Sequence, residues 1–209
     1  MTPDEEQSGF YENLGRCIAQ WSHVEDALHE VFATAIAKAD EVRRSNVPAQ
    51  AAYFAIQAPE GKIAMTDSAV RFRLLFGMGE GHGDPQRRLF AAWDALKKTV
   101  DDRRKRRNQL AHFQVLVSMN EPDGRRFALR PALFNPNTQF RTITLFHREE
   151  LKVAAASFGR VSWDLRTFAY GLAKHFKQND DTVFDDELRE LMARTADKVV
   201  TEEGFIANN

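Results

Sequence analysis

The sequence predicts a mainly α protein, a helical bundle with a small antiparallel β-hairpin or meander inserted before its last long helix. Three observations carry that expectation. Apolar residues recur at alternating three- and four-residue steps along three long segments. After residue 112 the pattern changes to short strand-like runs around a turn signal, and helical spacing returns from about residue 148. Long seams of this kind bury themselves most readily against one another.

The first segment runs roughly from Ser8 to Ala37, with Leu14, Cys17, Trp21, Val24, Leu28, Val31 and Ala35 in register. Two shorter helices are expected next, Pro48 to Ile56 and Glu60 to Phe76, carrying Phe54, Ile63, Ala69, Val70 and Leu74 toward the core. The glycine-rich "GMGEGHGDP" that follows lacks both a preceding strand and a Lys-Ser/Thr pair, so it reads as a connector rather than a phosphate cradle. Asp84 and Pro85 suit the cap and first turn of the second long helix, about Pro85 to Ala111, whose seam is Leu89, Trp93, Leu96 and Val100.

"FQVLVSM" and "RRFALRP" then flank "NEPDG", where Pro122 and Gly124 fit a type I turn, and "FRTITLFH" is a candidate third strand. The third long helix spans about Arg148 to Lys177 through Leu151, Ala154, Phe158, Val161, Leu165, Phe168 and Leu172, and a further helix is expected from about Asp185 to Val199. No repeat or separating linker interrupts the chain. The expected organisation is a single bundle over 1–177 with its β insert at about 113–146, and a C-terminal helical extension and tail over 178–209.

With 209 residues and 43% hydrophobic content the chain can build one sizeable core. A formal net charge of −1 argues against coating a polyanion through bulk charge, so any such contact must come from a local patch. "RRKRR", residues 103–107, is the densest one. A single cysteine, Cys17, excludes an internal disulfide framework and a cysteine-rich zinc site. The acidic, polar start "MTPDEEQSGF" is unlike a signal peptide, and no apolar stretch approaches the ~18 residues of a membrane span. The expectation is a cytoplasmic protein without membrane partners.

Continuing the seam of the second long helix lands on Arg103, Arg107 and Leu110, so two arginines occupy positions that begin as core. An unpaired guanidinium withdrawn from water costs on the order of several kcal/mol, so a carboxylate partner is expected. Glu25, beside the first seam and one turn from Trp21 and Leu28, is the candidate; the alternative is a stripe that has reached solvent at the helix end. Arg104, Asn108 and His112 share an adjacent face, while Arg107 lies about 140° around an ideal helix from His112. The two would meet at one phosphate only through the reach of arginine, a break in the helix, or a second chain.

"RNQLAH", Arg107 to His112, resembles the Arg-x4-His motif of HEPN-domain proteins, including the asparagine that often follows the arginine. "WSHVEDAL" is similar to the first-helix pattern of some bacterial branches of that superfamily, and the resemblance spans about residues 8 to 176, with only the short motif specific. It implies a homodimer whose facing motifs form one composite, metal-independent ribonuclease site, in a toxin or phage-defence effector with an antitoxin or regulatory protein as partner. Catalysis would fall to Arg107, Asn108 and His112.

The chemistry suits these residue types, since imidazole exchanges protons near neutral pH and arginine offers a forked, permanently charged donor set to a crowded phosphate. Asn108 would orient His112 or bond the phosphate, and Arg103, Arg104, Lys105 and Arg106 would hold the flanking RNA backbone. Branches controlled by nucleotidyl modification carry a tyrosine two residues after the histidine, where this chain has Gln114. Two alternatives stay open: a catalytically inactive module that binds RNA or protein, and a structural protein whose arginines form buried salt bridges.

No metal or cofactor is expected. His23 and His29 are six apart, not four, and no His-Glu-x-x-His occurs. The pairs Glu5-Glu6, Asp101-Asp102, Glu149-Glu150 and Asp185-Asp186 read as helix-start or surface charges.

Overall fold

The computed structural model describes residues 2–37, 47–76, 84–118, 126–131 and 145–178 and single positions at 186, 190 and 191, and among these lie five continuous helices and one two-stranded antiparallel sheet. In chain order they are α1 (Pro3–Ile36), α2 (Val47–Ala55), α3 (Pro59–Phe76), α4 (Asp84–His112), β1 (Gln114–Val117), β2 (Phe127–Arg130) and α5 (Arg148–Gln178). The fold is mainly α and bundle-like, with the sheet before the last long helix, as the periodicity predicts. Among the described residues no helix is long and apolar enough to cross a membrane.

The three seams are the main cores. Every residue named for α5, from Leu151 to Leu172, is at most 1% exposed, and Leu89, Trp93, Leu96 and Val100 of α4 are all fully buried. On α1 the buried stripe begins earlier than expected, at Phe10, and Leu14 is only partly covered. By contact, the chain divides into two units, residues 1–23 with 102–160 and residues 24–101 with 161–209.

In the first unit, Trp21 meets Phe158 edge-on at 5.4 Å, Phe10 lies 5.9 Å from Phe127, and Cys17 Sγ donates to the carbonyl of Leu151 at 3.1 Å. Burial pushes the Cys17 thiol up to about 11. The strands pair from Gln114 opposite Arg130 to Val117 opposite Phe127. Phe127, Ala128 and Leu129 are all buried, so β2 is covered on both faces. Leu129 also exchanges two backbone bonds, 2.9 and 3.0 Å, with Phe146, which is as much of the expected third strand as falls within the described residues. His147 precedes α5 and donates its backbone N–H to Glu150 Oε2 at 3.0 Å, half of a capping box.

Glu5 and Glu6 lie in the first turn of α1, as helix-start charges, but Glu6 is not a surface charge. It is 6% exposed, and its Oε1 accepts the backbone N–H groups of Arg126 at 2.7 Å and Phe127 at 3.2 Å. Satisfying two donors at the start of β2 is what makes burying a carboxylate tolerable.

In the second unit, Phe32 stacks on Tyr53 at 5.1 Å and Trp93 lies 5.4 Å from Phe168. On α2 the core residue is Tyr53, fully buried, whereas Phe54 is 54% exposed, contrary to expectation. Adjacent helical positions point about 100° apart, so the ring that meets Phe32 excludes its neighbour from the same contact. Burial also pushes the Tyr53 phenol up to about 12. Asp67 on α3 accepts from Trp93 Nε1 at 2.8 Å, Arg71 Nε at 2.9 Å and Lys97 Nζ at 2.7 Å.

Four expectations fall wholly or mostly outside the described residues: the glycine connector, with His82, from 77 to 83; the "NEPDG" turn; the third strand before Leu145; and the helix over 185–199 apart from Asp186, Glu190 and Leu191, which are helical.

Candidate functional site at the end of helix α4

α4 stays helical through the basic run because arginine and lysine are good helix formers, and cations near a carbonyl end are favoured by the helix dipole. The last turn closes with Phe113 N–H on Gln109 O at 2.9 Å, and β1 begins at Gln114. The apolar stripe changes character on the way. Leu110 is 8% exposed, while Arg103 and Arg107, which the seam extrapolates onto the core side, are half-buried. Long arginine stems can cover apolar surface while their charged ends reach outward.

Each cation of the run has its own surroundings. Lys105 is exposed and bonds Asp102, one turn back, at 3.0 Å. Arg106 lies with its guanidinium 5.2 Å over the ring of buried Phe146, which itself packs 5.7 Å from Phe113. Arg103 and Arg104 are half-buried, and neither is without an interaction. Arg107 Nη1 donates to Asn108 Oδ1 at 3.3 Å. His112 is exposed, and its imidazole makes no hydrogen bond or ion pair with any described residue.

The structure therefore puts Arg107 and Asn108 together, and the contact of Asn108 is with the arginine rather than with His112. Its amide N–H2 stays available to an acceptor such as a phosphate oxygen. Glu25, the expected carboxylate partner, is half-buried and pairs with Lys62 of α3 at 2.6 Å. Among the described residues no group of three or more His, Cys, Asp or Glu is placed to hold a metal ion.

Sequence reading did not find Phe146 as the platform for Arg106, nor Glu6 as the anchor of β2. A cation–π contact between residues 40 positions apart leaves no periodic trace, whereas a buried glutamate leaves one only in hindsight, through its spacing of four from Phe10.

Neither a scan against protein-family models nor searches of curated proteins and of solved structures finds a match for this chain.

Proposed function

We propose that this chain is a metal-independent endoribonuclease of the HEPN type, a toxin or defence effector whose active site is completed by a second copy. The observation that carries the reading is the state of the motif. Arg107, Asn108 and His112 occupy the last two turns of α4, with the imidazole exposed and bonded to no described residue and the asparagine already holding the arginine. One chain offers one histidine and one arginine on different sides of a helix, so a phosphate gripped by both calls for a facing copy. In such a cleft His112 would take the proton of a 2′-hydroxyl or return one to the leaving oxygen, and Arg107 would stabilise the charge on the phosphate.

Purified protein incubated with RNA in EDTA is expected to cleave it, and His112→Ala to lose cleavage about 100-fold or more. Equal cleavage by both proteins, or none by either, sinks the proposal.

The second reading is a noncatalytic module that binds RNA or protein through the same basic run, residues 103–107. It predicts binding that weakens steeply with salt and survives His112→Ala unchanged.

A further inference from the structure

α3 carries two arginines, two residues apart, in opposite circumstances. Arg71 bonds Asp67 at 2.9 Å and also Asp94. The Arg73 side chain makes no hydrogen bond or ion pair with any described residue. Its Nε is buried without an acceptor, and its guanidinium lies 4.2 Å over the ring of Phe176. Burial lowers its hold on its proton, and no carboxylate among the described residues offsets that. A buried donor left unsatisfied is uncommon enough to ask what satisfies it.

Beside Arg73, α1 and α3 line a cavity of about 560 Å³, within the usual range for small-molecule sites. Its wall is apolar, formed by Ala35, Ile36, Ala69, Phe72 and Phe76, with Ser68 and Arg73 as the polar exceptions. Phe72 and Phe76 sit 4.9 Å apart, ring to ring, and remain 66% and 71% exposed. Two adjoining aromatic rings left in water at the rim of an apolar cavity form a patch that gains from being covered.

We infer that this cavity binds a small amphipathic anion, a hydrocarbon chain or aryl group ending in a carboxylate that Arg73 grips. The inference is independent of the ribonuclease reading, and no residue of that site takes part. Guanidinium presents a planar fork that matches a carboxylate, while the chain covers Phe72 and Phe76. The carbonyl end of α3 opposes an anion here, but it is the weaker effect. One of its free carbonyls, Leu74 O, already accepts from Gln86 Nε2.

Titration of the full chain with decanoate, decan-1-ol and decylamine, followed by calorimetry and by amide shifts, tests this. Decanoate is expected to bind saturably, at least tenfold more tightly than the alcohol or the amine, with shifts centred on residues 35, 36 and 68–76. Arg73→Leu should lose the preference for the acid while binding the alcohol as before, Arg73→Lys should recover part of it, and Ala69→Trp should block every ligand. The inference is overturned if decanoate does not bind, if acid and alcohol bind equally, if the amine is preferred, or if Arg73→Leu keeps the preference. Thermal melting of each variant separates lost binding from lost folding.

Discussion

The two ends of α4 obey different physics. From Leu89 to Val100 the helix presents four fully buried side chains in register, while from Arg103 to His112 the same stripe continues as half-buried arginines and one leucine. The first half is held by removal of apolar surface from water, a non-directional term roughly proportional to area. In the second, charges answer to particular neighbours: Asp102 bonds Lys105, Phe146 lies under Arg106 and Asn108 bonds Arg107. A helix can therefore be fixed in the fold by one end and leave the other for chemistry.

Mutations that break this contrast range from large to negligible effects on stability. Trp93→Ala empties a fully buried site that packs on Phe168, and about 3–5 kcal/mol should be lost in urea denaturation. Leu110→Ala asks whether the basic half has any packing role of its own. Its side chain is 8% exposed, and a loss of about 2 kcal/mol is expected; a value near zero would make the whole end of the helix dispensable to the fold. Asp67→Ala removes the acceptor shared by Trp93, Arg71 and Lys97 and should cost about 1–3 kcal/mol, whereas Asp94→Ala, at an exposed end of the same network, should cost about 1 kcal/mol or less.

Acid should weaken the second unit in two windows. Desolvation lowers the pKa of His29, outweighing the opposing charges of Asp26 and Glu30. The unfolded chain then takes up that proton first, so stability is full above the ordinary value of 6.5 and falls as pH drops through it toward the depressed value. For Asp67 burial pushes the carboxyl up, but its bonds from Lys97 and Trp93, with the charges of Lys97 and Arg71, hold it below the usual range. That contribution is present above the ordinary value of 3.8 and lost below it. Denaturation midpoints from pH 8 to 5 should show the first slope, and His29→Leu should flatten it.

The smallest expected change in stability belongs to His112→Ala, within about 0.5 kcal/mol, because the side chain is exposed and bonds no described residue. That variant separates fold from function: melting unchanged with RNA cleavage abolished sharpens the contrast between the two ends of α4, and a destabilised variant would erase it.

Much of the fold was legible because helical periodicity is a local record of a global fact. Seams at three- and four-residue steps located all three long helices to within a few residues, except that α1 begins at Pro3, and the switch to short strand-like runs located β1 and β2. Phe54 and Tyr53 show the limit. Of two neighbouring aromatics on a nine-residue helix, the more polar one is buried, and its packing against Phe32 and His29 leaves no mark in the local sequence. At the site, the sequence showed that Arg104, Asn108 and His112 share a face and that Arg107 does not, which follows from the helical repeat alone. It did not show that Asn108 bonds Arg107, since a one-residue step gives no directional prediction.

Sequence alone thus determined the helices, their buried stripes and the placing of the Arg-x4-His motif at a helix end, because each depends on spacing along one element. The tertiary structure decided which charges are engaged and which are uncommitted. Lys62 holds Glu25, Glu6 is drawn inward by the N–H groups of β2, Arg71 is bonded twice, and Arg73 is left facing an apolar cavity. Polar pairing is short-ranged and directional, so it is settled only when segments distant in the chain come within hydrogen-bonding distance.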